Sequence, residues 1–280
     1  MCKISRKLFP KPQFVLNLYF ALFYQVPDPV ALFPLNSTFG AKEIKNRVTE
    51  GNATGVTLAP GPDGVLGGSH EFSGSPNSFI EFPNSEGGPL DIRYSITMLC
   101  WVYYSGQDGP LFNYGPNGAW GVHLWAVNGQ LFVRFTKRDY SFTPSLLHTA
   151  LAGGWKFVGA TYDRSTGDAK LWVDGFVVQT LNIGAGLDLA TQDSIRMGAK
   201  NYDDRYFKGR IAHMQVYDKA LTREQIQVIQ QQTQFVGEYV STLVLVPFEN
   251  KVCFEVIRGE FYGLFIIKQL KKPWLCSVLL

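Results

Sequence analysis

The sequence has little cysteine, little charge and no long apolar run. Its 280 residues include four cysteines and no C-x-x-C pair, so we expect no zinc site. Charged residues make up 18% and the formal net charge is +3, an excess too small to indicate a nucleic-acid-binding surface. No apolar run reaches the roughly 18 residues that a membrane-spanning helix needs. The sequence therefore predicts neither a nucleic-acid partner nor a membrane span.

The two ends of the chain differ from its centre. Residues 14–26 are apolar and follow basic residues, which is typical of a secretory signal, but Asn17 and Gln25 interrupt the run and no small-x-small cleavage site follows. A hydrophobic segment packed on the domain, or a badly defined N-terminus, is the alternative for residues 1–27. Residues 233–280 lose the central pattern, so this tail either adds edge strands or lies outside the domain. Such ends suggest a fragment or an imperfect gene model.

Two sequons and two C-terminal cysteines bear on the compartment. The N-x-S/T sequons begin at Asn36 and Asn52, in turn regions where glycans are tolerated. Cys253 and Cys276 could form a disulfide in an oxidising compartment, or they could remain two unrelated buried thiols. We therefore expect an extracellular, secreted glycoprotein with an atypical signal segment.

Residues 28–232 consist of short apolar runs separated by turn residues. The 28 glycines and 15 prolines of the chain favour frequent turns, and about eleven short strands follow one another without intervening helices. This pattern is typical of an all-β sandwich or jelly roll of two antiparallel sheets. The predicted strands are residues 30–35, 70–72, 79–82, 95–103, 111–114, both arms of 121–135, 155–162, both arms of 170–181, 194–197 and 211–217.

Two hairpins and one helix are marked by local signals. Asn128-Gly129 and Asp174-Gly175 each lie between alternating arms, and both dipeptides suit a type I′ turn because its two central residues need positive φ. Residues 222–232 have helical character. Thr222 and Gln225 have the spacing of a capping box, in which each side chain satisfies the free backbone N–H of the other. We therefore expect one short C-terminal helix.

Three ordered stretches resemble the laminin-G-like/pentraxin branch of the concanavalin A-like superfamily. The first stretch runs through residues 70–82 to Trp101, and the second combines W-x-x-V-x-x-x-Y-D at residues 155–163 with L-x-V-D-G at residues 171–175. The third stretch covers residues 197–222, with F-x-G-x-h and Y-x-x-A-L-T elements. Together they cover about 200 residues. The resemblance implies a jelly-roll domain that binds glycans or extracellular matrix proteins, with a role in cell adhesion.

The resemblance also implies roles for particular residues. Trp101, Trp155 and Trp172 are expected to pack in the core or on a sheet face. Arg210 is expected to pair with a nearby carboxylate or to lie at a solvated edge. After the G-x-h element the family often has an acidic pair, and some relatives have a cysteine there that could face the strand of Cys100. This chain has Ala212-His213 at that position. Cys100 is therefore expected to be a free buried thiol, and His213 a strand histidine rather than a ligand.

Two candidate sites follow from the resemblance. Relatives often bind calcium at one rim of the sandwich through loop oxygens, which are the ligands that Ca²⁺ prefers. A glycan surface would combine aromatic faces with polar groups at the rim. The candidate calcium ligands are Asn117, Asp188, Asp193, Asp203 and Asp204. The candidate glycan-binding residues are Tyr103, Tyr104, Trp120, Trp125, Tyr202, Arg205 and Tyr206.

Catalytic patterns are missing from the sequence. Glycoside hydrolases with this fold carry E-x-D-x-x-E on one strand, and this spacing is absent, since Glu71 and Glu81 are isolated. Neither G-x-S-x-G nor H-E-x-x-H occurs, and the four histidines are scattered. We therefore expect a non-catalytic extracellular binding or adhesion module. A structural domain of a larger extracellular protein, without a ligand of its own, is the alternative, followed by a glycan-degrading enzyme.

Overall fold

A computed structural model of the protein describes residues 26–148, 151 and 153–234, together with the backbone of 243–248, 251–256 and 262–263. The apolar run of residues 14–26 lies outside the described residues except for Val26, and Cys276 lies outside them altogether. The expected signal segment and the possible Cys253–Cys276 disulfide therefore stay predictions. The chain divides into two compact units after Gln234. Among the described residues, no helix is long and apolar enough to cross a membrane.

The first unit is a sandwich of two antiparallel sheets, as the sequence predicts. One sheet has the order β13-β12-β11-β6-β15-β4-β3, with β1 also paired to β15, and the other has the order β10-β9-β8-β7-β14-β5-β2. Their strands are β1 Ala31–Phe33, β2 Asn52–Thr54, β3 Val56–Ala59, β4 Ser69–Ser73, β5 Phe79–Phe82, β6 Ile96–Gln107, β7 Gly109–Tyr114, β8 His123–Val127, β9 Gln130–Arg134, β10 Leu146–His148, β11 Trp155–Tyr162, β12 Asp168–Val173, β13 Phe176–Asn182, β14 Ile195–Met197 and β15 Lys208–Tyr217.

Helix α1 (Arg223–Gln234) follows the last strand of this unit. The second unit has its own three-stranded antiparallel sheet, with β16 (Leu243–Phe248), β17 (Lys251–Val256) and β18 (Tyr262–Gly263) in that order. The tail therefore forms strands of its own.

Strands β2, β3 and β10 are absent from the sequence prediction. Each has three or four residues, and each lies at an edge of its sheet. Strand β2 has no fully buried residue, so no apolar alternation marks it in the sequence. Such strands are defined by hydrogen bonds to a neighbour that is distant in sequence, which local pattern does not reveal.

Strand β6 shows how one strand serves two apolar layers. Met98 and Cys100 point into the main core between the sheets. The alternate residue Trp101 belongs to a second cluster on the outer face of the eight-stranded sheet, which includes Ile226 and Ile229 of α1. Trp101 Nε1 also donates to Thr233 Oγ1 at 2.8 Å. The helix therefore covers the outer face of this sheet.

The local signals and the packing tryptophans are confirmed. Thr222 N donates to Gln225 Oε1 at 3.0 Å, and Gln225 N donates to Thr222 Oγ1 at 3.3 Å, as a capping box requires. Asn128 and Asp174 have φ of 51° and 50°, and the glycine after each also has positive φ. Trp172 is buried, like Trp101, in the cluster beneath the helix.

Cys100 and Arg210 also occupy the surroundings that were expected. Cys100 is a free, fully buried cysteine, and burial raises the pKa of its thiol to about 12. Arg210 lies opposite Glu71 in the β15–β4 register, and its Nε is 3.5 Å from the Glu71 carboxylate. The Cys100 thiol is therefore unreactive and contributes to core packing. Arg210 pairs with Glu71 across the two strands.

Candidate functional site

The outer face of the seven-stranded sheet carries two rows of side chains. The β8–β9 hairpin places His123 opposite Arg134 and Trp125 opposite Phe132. The pairings with the adjacent strands continue both pairs as rows across the sheet. This is because residues on the same face of a sheet lie side by side on neighbouring strands. We define the polar row as Glu81, Arg196, Asn113, His123 and Arg134, and the aromatic row as Pro110, Trp125, Phe132 and Leu147.

Trp120 is a half-exposed aromatic residue next to these rows. Its half-exposed ring lies 5.0 Å from the His123 ring and 5.2 Å from the Trp125 ring, measured between centroids. His123 in turn stacks on Phe132, with the centroids 5.6 Å apart and the planes at 20°. Trp120 is thus packed against these rings while part of the residue remains exposed to solvent.

Trp125 supports the site from below. Its side chain is 1% exposed, and its Nε1 donates to Asn113 Oδ1 at 2.9 Å. In this structure Trp125 therefore exposes almost no surface to a ligand. The alternation of the hairpin places it on the outer face, but Trp120 and Arg205 cover it there.

The loop of residues 199–206 lies against Trp120. Gly198 N donates to Pro110 O, and Phe207 N donates to Gly198 O, both at 2.8 Å, so the two ends of the loop are tied together and to β7. Lys200 Nζ lies 4.6 Å from the centre of the Trp120 ring, within the range of a cation–π contact. The loop therefore places a positive charge beside the exposed indole.

Arg205 and Tyr202 occupy the outer part of the same loop. The Arg205 guanidinium lies 4.6 Å from the Trp125 ring and forms a two-pronged ion pair with Asp203, at 2.9 and 2.6 Å. Tyr202 is 92% exposed and has a φ of 61°, a conformation that tyrosine rarely adopts. An open depression of about 630 Å³ is lined by residues 202–206, which include the candidates Asp204 and Tyr206.

Tyr104 and Asp108 position the hairpin. The Tyr104 hydroxyl donates to Asp108 Oδ1 at 2.9 Å, and the same carboxylate accepts the backbone N–H groups of Asn128 and Gly129. Burial and this hydrogen bond raise the pKa of Tyr104 to about 12. Burial by itself would raise the pKa of Asp108, but the two N–H donors outweigh it and lower that pKa. Tyr104 therefore fixes the turn beside the site.

Tyr103 lies on the other sheet. It is opposite Trp155 and Arg210 in the registers of β6, and its ring contacts the Trp155 ring at 5.8 Å. Trp155 is half-buried and packs against the cluster beneath helix α1. The structure therefore separates Tyr103 from the other candidate glycan-binding residues.

His123 is neutral and surrounded by cations. Burial lowers its pKa to about 4, and the positive charges of Arg134, Arg205 and Lys200 lower it as well. His123 Nδ1 lies 2.7 Å from Gly121 O, so this nitrogen donates its proton to the carbonyl. The centre of the outer face thus carries an uncharged imidazole between three positive side chains.

Four of the five candidate calcium ligands, all except Asp204, are already engaged by protein groups. Asp188 accepts hydrogen bonds from Arg93 and Arg164, and the arginine at position 93 is the main cause of its lowered pKa. Asp203 is paired with Arg205 as described above. Asp193 accepts the Tyr140 hydroxyl at 2.9 Å, and Asn117 accepts an amide proton of Asn201.

No group of three or more histidine, cysteine, aspartate or glutamate side chains that could hold a metal ion occurs among the residues described. A calcium ion would need several oxygen ligands free of cationic partners. The arrangement of Asp188 and Asp203 with arginines does not fit this requirement.

The outer face also lacks the groups of a glycoside hydrolase. In the seven described strands of this sheet the one acidic residue is Glu81, and its carboxylate accepts hydrogen bonds from Arg196. Glycoside hydrolysis requires two carboxyl groups flanking the bond. The face can bind and orient a polar ligand through its amide, imidazole and guanidinium groups.

Several residues of this face are not among the binding residues predicted from the sequence. They belong to the polar and aromatic rows, and the missed members are Glu81, Arg196, Asn113, His123, Phe132 and Arg134. For the β8–β9 hairpin a signal was present, because a two-residue Asn128-Gly129 turn fixes the register of both arms. Glu81 and Arg196 had no such signal, since they meet only through the pairing of β5 with β14.

Comparisons with solved structures find the same fold in toxin binding domains. The ligand-binding domain of botulinum neurotoxin serotype D, solved with N-acetylneuraminic acid, is 14% identical with a TM-score of 0.59, and the match covers 90% of this chain and 68% of that chain. The binding domain of botulinum neurotoxin DC, solved with rat synaptotagmin II, is 12% identical with a TM-score of 0.56, and the match covers 89% and 68%.

The binding domain of Paraclostridial Mosquitocidal Protein 1 is 16% identical with a TM-score of 0.58, and the match covers 78% of this chain and 54% of that chain. No curated protein matches the sequence. A laminin G family model, described as Concanavalin A-like lectin/glucanases superfamily, matches residues 73–227, which include both hairpins and most of the two sheets. This chain therefore belongs to the concanavalin A-like lectin/glucanase superfamily and contains a laminin G-like domain.

Proposed function

We propose that this protein is a non-catalytic binding module that takes up a glycan on the outer face of its seven-stranded sheet. The single observation that carries the proposal is Trp120, a half-exposed indole fixed between a packed aromatic base and the loop of residues 199–206. An aromatic face of this kind offers a platform for the apolar face of a sugar ring. Tyr202 and Tyr206 provide further aromatic surface at the open depression.

Polar groups around the indole supply orientation. Arg205 is held by Asp203, and Lys200 Nζ donates to the Gly118 carbonyl at 3.1 Å, so neither cation has to be ordered on binding. Preformed donors next to an apolar surface are the usual composition of a small-molecule site. A sugar hydroxyl or acidic group could therefore be received without rearrangement of the loop.

Two observations favour binding over catalysis. The strands of this sheet provide one carboxylate, Glu81, which is paired with Arg196, so the acid and nucleophile of a glycosidase have no counterpart there. We also expect the proposed site to use no calcium, because Asp203, one of its two loop carboxylates, is paired with Arg205. Toxin domains with this fold were solved with a sugar acid and with a protein, which supports a binding role for the fold.

The proposal includes an extracellular setting in which the module contributes to adhesion. Asn52 of the sequon at residues 52–54 is exposed in β2. Asn36 of the other sequon uses its side-chain oxygen to accept the N–H groups of Thr38 and Phe39. When the chain is expressed in a secreting eukaryotic cell, we expect secretion and a loss of mass on treatment with a glycosidase that removes N-glycans, with Asn52 as the modified residue. Retention of an unglycosylated chain in the cell would contradict this setting.

Substitution of Trp120 tests the binding function. We expect the full chain to retain glycans on an array, and the Trp120→Ala variant to bind the same glycans at least about tenfold more weakly, because one stacking platform is lost. Trp155→Ala is the matched control, since Trp155 is also a half-buried tryptophan but lies on the other sheet. The affinity should be the same in EDTA as in calcium chloride.

The outcomes separate the alternatives. Equal weakening by Trp120→Ala and Trp155→Ala would show a general loss of folding, which circular dichroism would detect. Loss of binding in EDTA would show that glycan binding at this site requires calcium. If the wild-type chain binds no glycan on the array, the proposal is wrong and a structural domain without its own ligand is favoured.

A further inference from the structure

Resting on the proposed function, we propose that the glycan is acidic, and that Arg134 receives its carboxylate or sulfate group. Arg134 is the last residue of β9 and ends the polar row, opposite His123. It lies on the same face as Trp120, since His123 contacts both the Trp120 ring and the Phe132 ring of β9.

Arg134 has no counter-ion among the residues that the structure describes. The other two arginines of the face are neutralised, Arg196 by Glu81 and Arg205 by Asp203. The Arg134 side chain forms neither an ion pair nor a hydrogen bond with the described residues, and its Nε is buried without a partner. This half-buried guanidinium has lost part of its hydration and has cation–π contacts with Phe132 and Phe142 in place of an ion pair, which favours the arrival of an anion.

The surroundings of Arg134 are apolar. Its guanidinium carbon lies 4.7 Å from the centre of the Phe142 ring and 5.5 Å from the Phe132 ring. Phe142 is 56% exposed, and Leu147, which is opposite Phe132 in the β9–β10 register, is 41% exposed. Burial lowers the pKa of Arg134, which is the direction expected for a cation with no nearby negative charge.

The local charge is positive beyond Arg134 itself. The positive charges of Arg134, Arg205 and Lys200 all disfavour protonation of His123, so the three cations lie near the same imidazole. Lys200 donates to the carbonyls of Gly118 and Asn201, which carry no formal charge. Two positive charges, on Arg134 and Lys200, therefore remain without a paired carboxylate on this face of the described structure.

The chemistry of arginine defines the ligand class. Its planar guanidinium donates two parallel hydrogen bonds to a carboxylate or a sulfate, and this geometry is specific for planar or tetrahedral oxyanions. Phe142 and Leu147 can contact the apolar part of the same sugar. The combination fits an acidic saccharide whose neutral ring extends toward Trp120.

The test compares three probes on the full chain by titration calorimetry. Sialyllactose carries a carboxylate, sulfated lactose carries a sulfate, and lactose is neutral. We expect one or both acidic probes to bind at least about tenfold more tightly than lactose at low salt, since hydrogen bonds to charged groups are strong. The affinity of the acidic probe should fall as sodium chloride is raised, whereas that of lactose should not. The carboxylate and sulfate arms identify the anion.

Arg134→Gln should abolish the preference for the acidic probe, because it should weaken the acidic probe much more than it weakens lactose. Arg223→Gln is the matched control, because Arg223 also lies 4.7 Å from an exposed phenylalanine, Phe176, but belongs to α1. It should retain the preference. Circular dichroism melts of both variants show whether folding is intact, and Arg134→Lys, which keeps the charge but not the fork, should restore the preference only in part.

The proposed function and this inference fail in different ways. If lactose and the acidic probes bind equally, and Trp120→Ala weakens all of them, glycan binding stands and the role of Arg134 is overturned. If Arg134→Gln weakens lactose as much as the acidic probe, the arginine acts on the structure of the face and the inference is wrong. If none of the probes binds, and no glycan on the array binds, both proposals fall.

Discussion

At the scale of single residues, His213 combines a buried imidazole with a left-handed backbone. It lies in β15 where the register with β6 shifts, its φ is 51°, and its N–H donates to Pro34 O at 3.1 Å. The side chain is 7% exposed, and burial lowers its pKa to about 4. Residue 213 therefore forms part of the β-bulge in β15, and its imidazole is buried and neutral.

His213 should make stability depend on pH. Between its folded pKa of about 4 and the ordinary value of 6.5, the unfolded chain holds a proton that the folded chain lacks. The free energy of unfolding therefore falls as pH falls through this window, by about 2 kcal/mol at pH 5 for one such histidine. His213→Asn removes this contribution while asparagine still tolerates the positive φ.

The measurement is urea unfolding at pH 7.5 and pH 5. We expect the loss of stability between the two pH values to be smaller in His213→Asn than in the wild type by that amount. An unchanged difference in His213→Asn would mean that the imidazole is protonated in the folded chain.

At the scale of elements, the loop of residues 199–206 is fixed at Gly198. Gly198 has a φ of 89°, and a Cβ there would lie 2.4 Å from both Ser78 O and Phe72 Cδ1. This close approach ties the start of the loop to β4 and to the turn before β5. The positions of Lys200 and Arg205 beside Trp120 depend on it.

Gly198→Ala should lower the free energy of unfolding by about 3 kcal/mol, because the added methyl group must displace backbone and a core ring. Gly186→Ala is the control, since Gly186 also has positive φ, 75°, but has open space around its Cβ position. The control should lose only about 1 kcal/mol from backbone strain. Equal losses in urea unfolding would show that the loop is not pinned by this contact.

The hairpins are the elements whose details the sequence predicts best. Because a two-residue turn at Asn128-Gly129 leaves no freedom of register, His123 must pair with Arg134 and Trp125 with Phe132. The same hairpin contains Trp125, whose burial the sequence does not predict. Its cover comes from Trp120 and from Arg205, 80 residues later in the chain, and long-range packing of this kind leaves no periodic pattern.

At the scale of the whole molecule, the two sheets have different outer faces. Helix α1 covers the eight-stranded sheet with Ile226 and Ile229 over Trp101, so aromatic residues there are packing. The half-exposed Trp120 and Arg134, which has no paired carboxylate, belong to the outer face of the seven-stranded sheet. The choice of face for a ligand therefore follows from where the helix docks.

The sequence by itself determined the fold class, the two type I′ hairpins, the capped helix and the packing roles of Trp101 and Trp172. These depend on alternation, turn chemistry and short-range capping, which are local. Only the tertiary structure decided which strands that are 80 or more residues apart in sequence become neighbours in a sheet. It thereby placed Arg196 beside Glu81 and left Arg134 without a paired carboxylate. Charge balance at a site is a property of side chains brought together by packing, and no local pattern records it.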